Sequence, residues 1–250
     1  MSKVAVVLFP GSNCEEETKR ACESVGLSAD IVRWNDFSLL STYDGYILPG
    51  GWSYEDRIRA GAIASHDKVM DIIKKAAGEG KPVLGICNGC QVLVESGLIP
   101  GNGKIEMGMA PNVNPLVSGY FCSWVSVKKT TQKKTAFTTD VELVMPIPIA
   151  HGEGRFVTKN ASVLHELEKN HQIVFTYCDA EGNVRDEFPS NPNGALHNIA
   201  GICNSKGNVL AMMPHPERCT WLKQVPGKHA YGEEAGPGRA IFESIKEFLS

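Results

Sequence analysis

The segment Pro82-Val83-Leu84-Gly85-Ile86-Cys87-Asn88-Gly89-Cys90-Gln91-Val92-Leu93 constrains this chain more than any other. A short apolar run ends in a cysteine with a glycine two residues to either side, and a helix-like pattern begins at once. This is the thiol form of the Gly-x-nucleophile-x-Gly elbow, a sharp strand-to-helix turn that presents one side chain at the carboxyl end of a parallel strand. Gly85 and Gly89 fit that reading, because a side chain at either position would collide with the neighbouring strand or helix. The turn also sets the Cys87 sulfur beside the unpaired N–H groups of a helix N-terminus, a setting that activates thiols.

The first half of the chain alternates between strand and helix patterns. Val4–Phe9 is a continuous apolar run, as expected of a strand covered on both faces. The turn Pro10-Gly11-Ser12-Asn13 leads into a helix starting near Cys14, with Ser12 or Asn13 as its cap, Glu15 to Glu17 in its first turn and Gly26 at its end. Strands follow at Ala29–Trp34 and Gly45–Leu48, a helix over residues 62–78, and a fourth strand at Pro82–Ile86. Such βα repeats predict a mostly parallel sheet with helices on both sides, whose ligands bind beyond the carboxyl ends of the strands. Pro10, Pro49 and Cys87 all fall at those ends.

Beyond residue 100 the pattern changes. Residues 100–119 read as a long loop rich in Gly, Asn, Met and Pro; residues 120–160 and 172–213 read as shorter strands with hairpin-like turns. Asn208–Met213 is an apolar strand that stops at Pro214, residues 218–238 form a polar loop, and a helix at Arg239–Leu249 closes the chain. No linker divides residues 1–250, so a single domain is expected. The formal charge of −3 argues against nucleic-acid binding, and the small Lys128-Lys129, Lys133-Lys134 cluster reads as a solvated hairpin. No apolar run approaches the length of a membrane span and no export signal is evident. The expectation is a soluble, cytoplasmic protein whose eight cysteines are mostly reduced and buried.

A cysteine nucleophile needs a base, and the base needs a group to orient it. His215 follows an apolar strand within Met213-Pro214-His215-Pro216-Glu217-Arg218. Flanking prolines suggest extended backbone, which would point Glu217 the same way as His215, to accept its second ring N–H. Backbone donors for an oxyanion would come from Asn88, directly after the nucleophile, and from the Gly50-Gly51-Trp52 turn after the third strand. Two rival readings of Cys87 carry less. Cys87-Asn88-Gly89-Cys90 is also a redox-type Cys-x-x-Cys, but that leaves His215-Pro216-Glu217 unexplained. A zinc site from Cys87, Cys90 and His215 lacks a second ligand pair at a usual spacing.

Taken together, Gly85-Ile86-Cys87-Asn88-Gly89-Cys90-Gln91 and Pro214-His215-Pro216-Glu217 resemble the nucleophile and His-x-Glu motifs of the class I (triad-type) glutamine amidotransferases. Phe9–Cys14, Pro49–Asp56, Ile149–Phe156 and Asn193-Gly194 leading to Ile199–Ile202 are similar to the branch serving purine biosynthesis, so the resemblance covers nearly the whole chain. Trp52 stands where a Phe is expected and Cys90 where a Phe-like residue is usual, and loops 100–116 and 219–238 match poorly.

The resemblance implies a flavodoxin-like, mostly parallel sheet flanked by helices, with added antiparallel strands. It implies that Cys87 attacks the side-chain amide of L-glutamine, that His215 carries the proton to ammonia and that Glu217 orients His215. Gly51, Trp52 and Asn88 become candidates for the oxyanion hole. Gly50 and Gln91 would meet the amino-acid end of the substrate, and His151, Gly152 and Glu153 would border the pocket. The implied partners are a large synthetase subunit, which holds ATP and Mg, and a small accessory subunit; this chain would carry no cofactor and no metal. The alternatives are another amidotransferase's glutaminase domain, a free-standing cysteine hydrolase, or a regulatory subunit that lost activity.

Overall fold

A computed structural model describes residues 2–116 and 118–250. Five parallel strands build one half of its main sheet. They are β1 (Lys3–Leu8), β2 (Ser28–Arg33), β3 (Gly45–Leu48), β4 (Val83–Ile86) and, from far along the chain, β11 (Val209–Met212). Their spatial order, β2-β1-β3-β4-β11, is the flavodoxin-like order. Every residue of β3, β4 and β11 is buried, which is why these segments are uninterrupted apolar runs rather than alternating ones.

The sheet continues without a break into four antiparallel strands, β10 (Ile199–Cys203), β9 (Ile173–Cys178), β6 (Phe121–Lys129) and β7 (Val144–His151), to give nine strands. β7 is an edge strand that carries Pro146 and Pro148, residues tolerated there because, among the described residues, no strand pairs along its outer edge to call on their missing N–H. A separate two-stranded ribbon pairs β5 (Gly108–Ala110) with β8 (Arg155–Val157).

The helices are α1 (Glu15–Ser24), α2 (Phe37–Leu40), α3 (Ala62–Ser65), α4 (Val69–Gly78), α5 (Asn88–Glu95), α6 (Ala161–Lys169) and α7 (Arg239–Phe248). α5 is buried over its whole length. Its Val92, Leu93 and Val94 are fully buried, each contributing about 1.5–3 kcal/mol relative to exposure. Close packing of α5 against the sheet depends on two glycines. A Cβ at Gly89 would overlap the Leu48 carbonyl, and one at Gly85 would sit 2.6 Å from Leu93 Cδ1. The charge at the end of α5 is met by a fork from Arg59 to the buried Glu95 carboxylate. Among the described residues no helix is long and apolar enough to cross a membrane.

Several local expectations fail for identifiable reasons. Neither Ser12 nor Asn13 caps α1: Ser12 Oγ accepts the Phe9 N–H at 3.2 Å and Asn13 Oδ1 accepts from Cys14 Sγ at 3.1 Å, so both side chains fold the turn itself. The helix expected over 62–78 is split between α3 and α4 around His66-Asp67-Lys68, where Asp67 receives the Tyr54 hydroxyl. The expected loop 100–119, of which residue 117 lies outside the described residues, contains β5. That strand is three residues long and too short to show alternation. α6 lies between the two stretches read as strands, capped by Asn160 Oδ1 accepting the Ser162 N–H. The lysine cluster does lie in a hairpin, at the end of β6 and in its connection to β7, but three of its side chains are tethered rather than free. Lys128 and Lys129 end β6, and their ammonium groups donate to the Gly182 and Val141 carbonyls at 3.1 and 2.8 Å, while Lys133 donates to the Ser205 carbonyl.

Candidate active site

Cys87 stands where β4 turns into α5. Its backbone has φ 50° and ψ −105°, a conformation that costs a non-glycine residue about 1–3 kcal/mol. Packing on both sides holds it there, and its N–H donates to the Met212 carbonyl of β11 at 2.9 Å. Its sulfur faces the Ala150 carbonyl of β7 at 3.5 Å. Asn88, the next residue, occupies the first helical position, so its N–H has no acceptor within α5. The Asn88 side chain knits the surroundings together: Oδ1 accepts the Ser53 N–H at 3.0 Å, and Nδ2 donates to Asp56 and to Gln91, each at 3.0 Å.

His215 arrives from the end of β11 and lines the same cavity as Cys87. Its ring is 2 % exposed, and its Nδ1 lies 2.6 Å from Glu217 Oε1. An ionised carboxylate only accepts, so Nδ1 carries the proton and Nε2 is left without a hydrogen-bond partner among the described residues. The pair forms by a different backbone path from the one expected. Pro216–Cys219 is a 3-10 turn, not extended chain, and Glu217 meets the imidazole from inside it; Pro216 suits the first position of such a turn as well as it suits a strand. Burial opposes a charged His215, but the charges of Glu217 and then Cys87 outweigh it and hold the imidazole well above its ordinary value. The His215 N–H donates to the Pro148 carbonyl at 2.9 Å, tying this residue to β7.

These groups open onto a cavity of about 210 Å³, below the roughly 300–1,000 Å³ of drug-sized sites and suited to a small metabolite. Gly51, Gln91, His151, Gly152 and Glu153 line it. Gln91 is fixed by donating to the Glu153 carbonyl at 2.8 Å. Gly51, at φ 140°, must lack a side chain, because a Cβ there would fall 2.7 Å from the Asn13 nitrogen and the Gly11 oxygen.

Two expectations need correction. Trp52 cannot offer its N–H to a ligand in this arrangement, since it donates to the Gly11 carbonyl at 2.8 Å; its half-exposed ring instead packs on Tyr120 at the cavity rim, 5.8 Å between centroids. Gly50 does not line the cavity. Its carbonyl accepts the Asn13 and Cys14 N–H groups, and a Cβ on it would lie 2.9 Å from His215 Cε1, so it forms the floor behind the imidazole.

The cavity also contains residues that sequence reasoning passed over. Cys14, buried, accepts from Arg218 Nη2 at 3.0 Å. Asp56, which accepts from Asn88, has its carboxyl pushed up to about 6, first by burial and then by the charge of Glu153. Both lay within motifs already singled out, the turn after β1 and the stretch after Pro49, which was the available signal. Ligand atoms of Cys14, His215 and Glu217 lie within 4.8 Å of one another, a set of donors that could hold a soft cation. In this structure Glu217 is engaged by His215 and the Cys14 sulfur by the Arg218 guanidinium. Cys90, the other thiol of the Cys-x-x-Cys, is fully buried and held well above its ordinary pKa by burial and by Cys87.

A parallel sheet with a thiol elbow at one strand end and a His–Glu pair at the next defines a class of cysteine-dependent hydrolases. Residues 1–249 match the family model of the CobB/CobQ-like glutamine amidotransferase domain, and the chain belongs to that family. It is 43% identical over 256 residues to the phosphoribosylformylglycinamidine synthase subunit PurQ of Methanothrix thermoacetophila, covering 99% of this chain and 98% of the relative. The protein of the same name from Pyrococcus horikoshii is 42% identical over 251 residues, covering 100% and 99%. Among solved structures, a chain of PurLQS from Thermotoga maritima superposes with a TM-score of 0.78 at 34% identity, over 100% of this chain and 99% of that one.

Proposed function

We propose that this chain is the glutaminase subunit of phosphoribosylformylglycinamidine synthase, hydrolysing L-glutamine and delivering ammonia to the step that converts formylglycinamide ribonucleotide to the amidine in purine biosynthesis. The observation that carries the reading is the strained Cys87 sharing one small cavity with a buried His215 whose Nδ1 is held by Glu217. In the reaction, the Cys87 sulfur attacks the γ-carboxamide carbon and the carbonyl oxygen becomes an oxyanion, stabilised by the Gly51 and Asn88 N–H groups. His215 carries a proton to the leaving nitrogen, the C–N bond breaks, and ammonia departs from a γ-glutamyl thioester. Water, deprotonated through His215, then releases glutamate and restores the thiol. Glu217 supports the imidazolium in both halves.

Gln91, Gly152 and Glu153 hold the amino-acid end of the substrate, with Gly50 acting only from behind. ATP and Mg chemistry is assigned to the large synthetase subunit, a small accessory subunit completes the assembly, and this chain carries no cofactor of its own. A purine-pathway complex of this kind works in the cytoplasm. The two hallmarks of a regulatory subunit without activity would be a missing nucleophile or base, and both residues are present.

The test is co-purification with the synthetase chain and measurement of glutamate release with and without it. The expected result is glutamine turnover that rises on complex formation. A tight complex that makes the amidine from free ammonia but never from glutamine would overturn the proposal.

A further inference from the structure

His151 ends β7 and lines the cavity, yet it is 2 % exposed and its Nε2 has no hydrogen-bond partner among the described residues. A buried, unpaired polar atom costs about 1–3 kcal/mol, so its retention beside a reaction centre calls for a partner that arrives with the substrate. The protonation of the ring can be worked out from its neighbour Asn112. Asn112 Nδ2 donates to the carbonyls of His151 and Gly119 at 2.6 and 3.1 Å, and its Oδ1 accepts the Gly154 N–H at 3.1 Å. Rotating the amide by half a turn would set oxygen against two carbonyl oxygens and NH₂ against an N–H, so the orientation is fixed. The same Oδ1 lies 3.0 Å from His151 Nδ1. An amide oxygen only accepts, which puts the proton on Nδ1 and leaves Nε2 with a bare lone pair.

The ring cannot turn away to find another partner. A Cβ at Gly154 would overlap it, so the chain already presses on its face, and the Asn112 N–H to Gly152 carbonyl bond at 2.8 Å closes the loop around it. Burial, followed by the charge of His215, lowers His151 to about 3, so it remains a neutral acceptor. Its place is at the reacting end of the cavity: the Ala150 carbonyl, one residue earlier, touches the Cys87 sulfur, and His215 is close enough to bear on its charge. The cavity wall also carries Asp56 and Glu153, whose carboxylates suit an ammonium better than a weakly basic imidazole does.

We propose that His151 is a specificity-determining residue whose Nε2 accepts an N–H of the substrate carboxamide, and that Asn112 is the positioning residue that locks the required tautomer. The inference rests on the glutaminase reading above. It explains how the site can favour glutamine over its own product: a carboxamide offers N–H donors, whereas a carboxylate offers none and would set oxygen against a lone pair.

Two measurements test it on the full chain with its synthetase partner. The first is nitrogen NMR of the imidazoles in the Cys87→Ala variant. The expected result is a protonated Nδ1 and bare Nε2 on His151, with the Nε2 resonance moved by saturating glutamine and not by glutamate. Asn112→Ala should let a second tautomer appear, which a purely structural role would not produce. The second compares glutamine with γ-glutamyl methyl ester, which lacks the amide N–H. His151→Phe should lower the ratio of kcat/KM for glutamine to that for the ester about 5- to 10-fold, the worth of one neutral hydrogen bond.

An Nε2 that carries the proton, an equal response to glutamate, or an equal loss on both substrates would overturn the proposal. Folding of the Phe variant does not decide the matter, because the resonance test uses native His151. Wild-type complex that turns over neither substrate would remove the glutaminase reading itself, and this proposal with it.

Discussion

The two halves of the nine-stranded sheet contribute differently to one cavity. The parallel half, β2-β1-β3-β4-β11, supplies Cys87 and the strand that leads to His215, and its central strands are buried throughout. The antiparallel half, β10-β9-β6-β7, supplies Ala150 and His151 from a strand at its margin, and β6 beside it is mostly half-buried. Groups that make and break bonds therefore sit on elements fixed from both faces. His151, Gly152 and Glu153, which enclose the ligand together with Gln91 of α5, sit on or beside the more exposed extension. A site divided in this way can hold its nucleophile in a strained geometry while its wall adapts to substrate and partner.

If this division holds, substitutions in the parallel half should be the more damaging. The largest effect is expected for Cys87→Ala, which should lower glutamine-dependent ammonia release by at least about 10⁴-fold while the complex still uses added ammonia. Glu217→Gln comes next, with a loss in kcat on the order of 10³–10⁴-fold, because the imidazole loses both its tautomer lock and its counter-charge.

The same variant carries a pH signature. His215 is raised in the folded protein, so its contribution to stability is fully present below its ordinary value of 6.5 and disappears as pH rises through the raised value. Denaturant melts should show wild type losing its advantage over Glu217→Gln in that upper window; parallel curves would refute the assigned charge state.

Gly89→Ala, which forces a Cβ into the Leu48 carbonyl, should destabilise the fold by about 3 kcal/mol or more in the same melts. In the antiparallel half, Gly154→Ala presses on the His151 side chain rather than on backbone, so it should cost less stability than Gly89→Ala while lowering kcat/KM for glutamine about 10-fold. If it unfolded the chain as readily as Gly89→Ala, the contrast between the halves would collapse. The smallest effect belongs to Lys133→Ala, whose exposed tether to Ser205 should be worth less than about 0.5 kcal/mol.

The same contrast explains what the amino-acid sequence disclosed. β1, β3, β4 and β11 are legible because strands buried on both faces leave unbroken apolar runs between turn residues, and the elbow around Cys87 is legible because its glycines answer local steric demands. The pairing of His215 with Glu217 follows from their spacing, although the backbone that achieves it is a 3-10 turn. β5 and β8 are three residues each, shorter than any period can reveal. Asn112 was unreadable for another reason: it meets His151 across 39 positions, and Arg218 meets Cys14 across 204, so neither relation exists until the chain has folded. Trp52 was misread because a Gly-Gly-Trp turn announces inward N–H groups without saying which one the loop will use for itself.

The bond from the His215 N–H to the Pro148 carbonyl has a mechanical consequence. It is a rivet between the two halves, placed on the margin strand two residues before Ala150 and three before His151. A neighbouring chain that leaned on β7 would thereby tug the proton carrier, the contact of the sulfur and the reader of the amide in a single stroke. Assembly could thus throttle or release turnover without touching the nucleophile's own strand.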